Sequence, residues 1–246
     1  MNILLLMPAW NEVDGLRATL PKINQDLFST IVVVDGGSED GSQEVCEKFG
    51  IKVFHQVRQG IRLGMEEYLE SDSNIYDYIL TFSPDGNCDP ETLVSFVSKC
   101  DGKSDLIIGS RYADGTSSWD DDLITAFGNR FFTRVTNFLF KTNFTDVFSI
   151  YRAFKPEVIF SLALNDPKSY VPFEKFLRTY LGWEPLMTFR VAKYGLKYFE
   201  VGVGEPARIG GERKLQVFKW GAGFLLQLIR ELWYKPDLIT LPIPKE

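Results

Sequence analysis

Ile31-Val32-Val33-Val34-Asp35-Gly36-Gly37-Ser38-Glu39-Asp40-Gly41-Ser42 is the stretch that decides the fold. Its four branched apolar residues run without a polar break, as in a parallel strand covered on both faces, and an acidic, glycine-rich turn then leads into a helix. In an open α/β sheet, ligands bind beyond the carboxyl ends of the strands, which puts Asp35 where a ligand would sit. Gly36 and Gly37 let the backbone approach that ligand, and Ser38 or Asp40 can cap the following helix. Taken alone, the segment also fits a strand-turn-helix junction in any α/β protein.

A second signal opens the chain. The apolar run Asn2-Ile3-Leu4-Leu5-Leu6-Met7 ends in Pro8-Ala9-Trp10-Asn11-Glu12, and helical spacing resumes at Leu16, Leu20 and Ile23. Two consecutive strand-loop-helix units with acidic loops predict one nucleotide cleft shared by both loop ends. Neither strand is followed by Gly-x-Gly-x-x-Gly or a Walker-type phosphate loop. Such a site uses carboxylates for base and sugar rather than a glycine nest for phosphate.

These two segments resemble the opening motifs of inverting family 2 glycosyltransferases with the GT-A fold. Asp105-Leu106-Ile107-Ile108-Gly109-Ser110-Arg111-Tyr112 is similar to that family's strand after the metal site. Gly128-Asn129-Arg130 and Thr145-Asp146-Val147-Phe148-Ser149-Ile150-Tyr151-Arg152 resemble the polyprenyl-phosphate branch, which includes dolichyl-phosphate mannose synthases. Arg208-Ile209-Gly210-Gly211-Glu212-Arg213-Lys214 matches its late basic motif, so ordered resemblance runs from the first residue to about residue 215. It implies an α/β domain with a Rossmann-like, mostly parallel sheet flanked by helices. It also implies a nucleotide-sugar donor held by Pro8, Ala9, Asn11, Glu12, Asp35, Gly37, Ser38, Asp85, Arg208 and Lys214. A similar glycine-containing segment, Arg58 to Gly64, packs on the donor nucleotide in the family, although a plain helix start explains it nearly as well.

Composition agrees with a catalytic domain. A chain of 246 residues, 45% hydrophobic, can bury one large core, or one domain with a small appendage. The expected division is a GT-A domain over residues 1–214 and a C-terminal amphipathic helix and tail over 215–246. No uncharged apolar run reaches the length of a spanning helix, and the first residues lack the basic flank of a signal peptide. Cys46, Cys88 and Cys100 show no metal spacing, and their odd count suits a reducing cytoplasm. His55, the single histidine, reads as an ordinary residue at a strand end. A net charge of −6 argues against a nucleic-acid partner. Yet Arg130, Arg134 and Lys141 lie in a stretch without acidic residues, and Arg208, Arg213, Lys214 and Lys219 form a second basic group. Such patches on an acidic protein suggest a phosphate ligand or an anionic surface.

Tyr78-Ile79-Leu80-Thr81-Phe82 reads as a strand and Ser83-Pro84-Asp85-Gly86-Asn87-Cys88-Asp89-Pro90 as the loop after it. The family usually carries Asp-x-Asp here, with Gln two residues on. This chain has Ser83 at the first Asp, Asp85 at the second and Asn87 at the Gln. Mg2+ or Mn2+ is the implied cofactor. Magnesium often needs only one or two carboxylates plus substrate phosphates, so Asp85 and Asn87 are the candidate metal ligands. Pro-Asp-Gly is equally an ordinary turn.

The implied reaction is attack of an acceptor oxygen on the anomeric carbon, in line with the departing diphosphate. Charge grows on the leaving group, which makes Asp85 (through its metal), Arg208 and Lys214 the catalytic candidates. A polyprenyl-phosphate acceptor is already anionic, so Asp146 would orient it or bind the sugar; with a hydroxyl acceptor, Asp146 leads as general base. A polar residue at a helix end is the alternative reading of Asp146. By resemblance, Arg111, Arg130 and Arg152 grip the acceptor phosphate. Ile150 replaces the family's Gly and restricts the backbone there.

Apolar and aromatic residues recur at helical spacing over 126–140 and 215–234, with basic residues between them. Either helix can lie in a bilayer interface or simply pack in the core. The expected location is cytoplasmic, peripheral on the inner face of the membrane or paired with a membrane-anchor subunit. Two further readings stay open: a transferase to a hydroxyl acceptor, and a nucleotide-sugar-binding pseudoenzyme subunit.

Overall fold

A computed structural model describes residues 1–209 and 216–236. The first half alternates strand and helix: β1 (Ile3–Ala9), α1 (Val13–Thr19), β2 (Thr30–Asp35), α2 (Ser42–Lys48), β3 (Lys52–His55), α3 (Ile61–Ser71), β4 (Tyr78–Thr81) and α4 (Leu93–Val97). The second half comprises β5 (Leu106–Ser110), α5 (Leu123–Phe140), β6 (Arg152–Phe154), α6 (Glu157–Ser161), α7 (Val171–Leu177), α8 (Glu184–Tyr194), β7 (Tyr198–Gly202) and α9 (Val217–Glu231).

The strands form one seven-stranded sheet in the order β3-β2-β1-β4-β6-β5-β7. Every pairing is parallel except those of β6, which runs antiparallel to both β4 and β5. Reversing that one strand leaves the carboxyl ends of the other six on a single edge. Strand register sets Ala9 beside Asp35, and Asp35 beside His55.

Alternation along β1 divides the core. Leu4 and Leu6 face a cluster with Val32, Val34, Met65, Trp183 and Phe189, while Ile3, Leu5 and Met7 face Val33, Leu16, Leu80, Phe82 and Phe96 on the other side. Both faces of β1 are covered, which is why its sequence is an unbroken apolar run.

Helix α9 is docked onto this body. Glu231 Oε1 accepts from Arg190 Nε (3.1 Å) and Nη2 (2.9 Å), Lys193 Nζ reaches Glu231 Oε2 at 2.9 Å, and Trp220 Nε1 donates to Thr179 Oγ1 at 2.9 Å. Leu228 is buried beside them. A buried Arg–Glu pair needs such added bonds to offset its desolvation. The expected boundary at residues 214 and 215 lies outside the described residues.

Both aromatic helices are two-sided. Phe132, Thr133 and Thr136 of α5 are buried, whereas Phe127 is 71% and Phe138 84% exposed. On α9, Phe218 and Ile229 face outward while Gln227, Leu228 and Glu231 face in. Among the described residues, no helix is long and apolar enough to cross a membrane.

Candidate active site

The loops after β1 and β2 are laced into one rim at the carboxyl edge. Asn11 N donates to Ser38 Oγ (2.8 Å), Glu39 N to Asn11 Oδ1 (2.9 Å), Glu12 N to Ser42 Oγ (3.1 Å) and Val13 N to Asp40 Oδ2 (2.9 Å). Ser38 therefore holds the neighbouring loop, while Asp40 does both: its Oδ2 takes Val13 N, and its Oδ1 takes Ser42 N (3.0 Å) at the start of α2, where Gly41 stands at the N-cap. Gly36 N reaches Ala9 O at 2.8 Å, and Pro8 follows Met7 inside the same strand end.

Asp35 is buried at this junction. Gly37 N (3.1 Å), Ser38 N (3.2 Å) and Gln43 Nε2 (3.1 Å) donate to its carboxylate, and His55 Nδ1 lies 3.5 Å away. Burial pushes its pKa up, but the bonds from Ser38, Gln43 and Gly37 outweigh burial and hold it below the usual range. Asp35 is thus a fixed negative charge at the end of β2. His55 is the exposed last residue of β3, as expected, and strand register sets it beside Asp35.

The loop after β4 is pressed into the same cleft. A Cβ on Gly15 of α1 would stand 2.4 Å from Pro84 O and 2.7 Å from Asp85 Cα, so only glycine lets the helix come this close. Gly86 takes a φ of +86° beneath Ile209, whose Cγ1 would sit 2.7 Å from an added Cβ. Ile209 N also donates to Asp85 O at 2.9 Å. Arg208 completes the closure: Nη2 lies 2.5 Å from Asp85 Oδ2 and Nη1 3.2 Å from Glu12 Oε1. Lys214 and the rest of the late motif lie outside the described residues.

Asp85 Oδ1 accepts from Asn87 N at 3.2 Å, and Asn87 Oδ1 is buried without a hydrogen-bond partner. An unsatisfied amide oxygen beside a carboxylate is an oxygen donor set suited to a hard divalent ion. Among the described residues, no cluster of three or more His, Cys, Asp or Glu could hold such an ion. What this loop offers a cation is one carboxylate and one amide, Asp85 and Asn87, with Ser83 at the position expected to carry a second carboxylate.

Asp146 occupies the next strand gap. It is fully buried, and it accepts from Arg111 Nε (2.6 Å), Arg111 Nη2 (2.9 Å), Arg111 N (3.2 Å), Asn129 Nδ2 (3.1 Å) and Phe148 N (3.0 Å). Burial raises its pKa, but the Arg111 guanidinium and these donors hold it below the usual carboxylate range. A low pKa and filled acceptor positions do not make a general base. Asp146 instead anchors Arg111, whose Nη1 also lies 3.5 Å from Asp121 and 3.7 Å from Glu205.

The three arginines expected to grip a phosphate therefore differ. Arg111 is committed to Asp146. Arg152 is buried, donating to Ser149 O and Glu184 O and to Thr188 Oγ1, and burial drives its pKa down to about 10. It ties the entry of β6 to α8 and does not face the cleft. Arg130 alone projects into space. It lines a cavity of about 510 Å3 with Arg134 one turn on, together with Tyr112, Ser117, Ser118, Asp121, Thr133, Asn137 and Thr145. Neither Arg130 nor Arg134 has an ion-pair or hydrogen-bond partner among the described residues. Ile150 is half-buried, and its carbonyl accepts from Thr81 Oγ1 at 2.6 Å.

Arg134 reads in the sequence, with Arg130, as part of a basic group, though not as a site residue. Sequence reasoning missed two contributors. Asn129 lies inside a quoted motif without an assigned role. Glu205 gave no local signal; only the return of β7 to the sheet edge brings it to Asn87 and Arg111.

A carboxylate-lined cleft at the carboxyl edge of a mixed sheet, with a bare arginine pair beside it, defines a sugar-nucleotide transferase architecture. Residues 5–160 match the glycosyl transferase family 2 profile, and the chain belongs to that family. It is 26% identical to glycosyltransferase AglJ of Haloferax volcanii, over 93% of this chain and 71% of that protein. It is also 26% identical to the undecaprenyl-phosphate mannosyltransferase of Micrococcus luteus, over 90% of this chain and 94% of that one. The glucosyl-3-phosphoglycerate synthase of Mycobacterium tuberculosis, solved with Mn2+, UDP and phosphoglyceric acid, superposes with a TM-score of 0.67 at 15% identity. That match covers 96% of this chain and 80% of the other. The fold is the GT-A arrangement expected from the sequence.

Proposed function

We propose that this protein transfers a sugar, with inversion, from a nucleotide-diphosphate sugar to a polyprenyl phosphate. The observation that carries the reading is the contrast between Arg130–Arg134 and Asp146. Two guanidiniums with no partner among the described residues line a polar cavity, while Arg111 holds the nearby carboxylate below the usual range, which makes it a poor base. That combination suits a nucleophile that is already anionic. A phosphate oxygen forms the new bond to the anomeric carbon as the bond from that carbon to the diphosphate breaks, and the nucleoside diphosphate leaves with the electron pair. A dianionic phosphate needs no base, so no proton has to move. The names of the relatives from Micrococcus luteus and of the polyprenol monophosphomannose synthase of Mycolicibacterium smegmatis support the acceptor class.

The donor's nucleoside belongs against the Asp35 rim and its diphosphate against Asp85, Asn87 and Arg208. Mg2+ or Mn2+ would be held by Asp85 and Asn87 with the donor phosphates, and would neutralise the charge growing on the leaving group. Arg208 adds a second cation to the same phosphates. The M. tuberculosis synthase, solved with either metal and UDP, supports a divalent ion in this architecture.

A lipid acceptor also accounts for the outward face of α5. Phe127 and Phe131 stack with ring centroids 6.5 Å apart on the helix that carries Arg130 and Arg134, and Leu123 is 90% exposed at its start. Aromatic side chains beside basic ones suit the headgroup boundary of an anionic bilayer. Peripheral attachment to the cytoplasmic face follows from this reading.

The test is nucleotide release from a panel of UDP- and GDP-sugars with Mg2+ or Mn2+, with and without a polyprenyl phosphate. Release that requires the lipid supports the reading and names the donor. Release with hydroxyl acceptors alone, from folded protein, overturns it.

A further inference from the structure

Glu205 is the carboxylate that joins the two halves of the cleft. Its Oε1 accepts from Asn87 Nδ2 at 3.3 Å on the donor loop. Its Oε2 accepts from Ser118 Oγ, on the wall of the arginine-lined cavity, and lies 3.7 Å from Arg111 Nη1. The backbone repeats the link, since Glu205 N donates to Ser117 O (3.1 Å) and Trp119 N donates to Glu205 O (2.8 Å). Three residues further on, Arg208 reaches Asp85 and Glu12. The donor loop follows β4 and the cavity wall follows β5, and β6 separates those strands in the sheet. Among the described residues, no hydrogen bond between the side chains of 83–90 and 116–119 joins them directly; Glu205 bonds both.

In-line transfer needs the acceptor oxygen within about 3–3.5 Å of the anomeric carbon, and displacements near 1 Å cost about a hundredfold. A group that sets the acceptor wall against the donor loop therefore controls rate without touching either substrate. We propose that Glu205 is a positioning residue for transfer, holding Ser118 and Asn87 at a fixed separation through the bonds its two carboxylate oxygens make. This rests on the function proposed above.

The native protein, Glu205→Gln and Glu205→Ala are to be compared in two assays. In steady-state transfer, Glu205→Gln should lower kcat roughly tenfold and leave donor KM within about twofold. Amide hydrogen exchange, which needs no substrate, should rise in both variants at 86–88 and 117–119 together.

A Glu205→Gln enzyme with native kcat overturns the proposal. So does faster exchange at only one of the two segments, or a loss of kcat matched by a global fall in Tm. If the native protein transfers to no polyprenyl phosphate, the functional reading fails, and the exchange experiment still decides the link between the loops.

Discussion

Arg208 Nη2 lies 2.5 Å from Asp85 Oδ2, so a guanidinium occupies the oxygen that a divalent ion would use. With Ser83 in place of an acidic residue, the Arg208 guanidinium stands against Asp85, the one carboxylate in Ser83-Pro84-Asp85-Gly86-Asn87. Cation and arginine then compete for Asp85 until the donor diphosphate offers Arg208 another partner. A hydrogen bond to a charged group is worth roughly 1.5–3 kcal/mol. Arg208→Ala should therefore raise Mn2+ affinity about tenfold or more without donor, as read by Mn2+ paramagnetic resonance, while lowering turnover. Equal donor-free affinities would remove the competition.

Asp146 and Arg111 form a buried pair whose removal should appear first as lost stability. Taking one member from such a pair typically costs about 3–5 kcal/mol. Asp146→Asn should lose transfer in proportion to a large drop in Tm. Loss of turnover at native Tm would instead restore Asp146 as a general base. Because its folded pKa is depressed, the pair's stabilisation is complete above the ordinary carboxylate range and disappears as pH falls through the lowered value.

Arg130 and Arg134 should behave in the opposite way. Neither supports the fold through a partner among the described residues, so alanine at either leaves Tm nearly unchanged. Acceptor KM should rise roughly tenfold or more for each, the size of a lost charge-assisted bond, and the effect should shrink in high salt. Unchanged acceptor KM in the double variant would move the acceptor elsewhere.

Glu205 gives a stability signature of its own. Its pKa rises on folding from 4.5 to about 6, so the folded chain binds more protons between those values. Stability should accordingly fall as pH climbs from 4.5 through 6, by about 2 kcal/mol for a shift of this size. Denaturant midpoints of Glu205→Gln should lack that component. An identical pH dependence in both proteins would assign the titration to another group.

Legibility in the sequence followed the range of the interactions. The runs at Ile3–Met7 and Ile31–Val34 announced covered strands, because burial on both faces leaves no polar position. Asp35 was legible for the same reason, as the residue that ends such a strand in a parallel sheet. Arg130 was legible by resemblance and, with Arg134, as part of a basic group in a stretch without acidic residues, and both stand without a partner among the described residues. Arg111 and Arg152 looked the same in sequence, yet one is spent on Asp146 and the other on backbone carbonyls near α8.

The sequence by itself determined the α/β class, the cleft at the carboxyl edge and the family, since these depend on local periodicity and short ordered motifs. Only the tertiary structure decided which charges are free to act. Arg208 meets Asp85 across 123 positions of chain, and Glu205 meets Asn87 across 118. Periodicity reports whether a side chain is buried, not which distant group neutralises it, and in this cleft that pairing separates the charges that build the fold from those left open to a ligand.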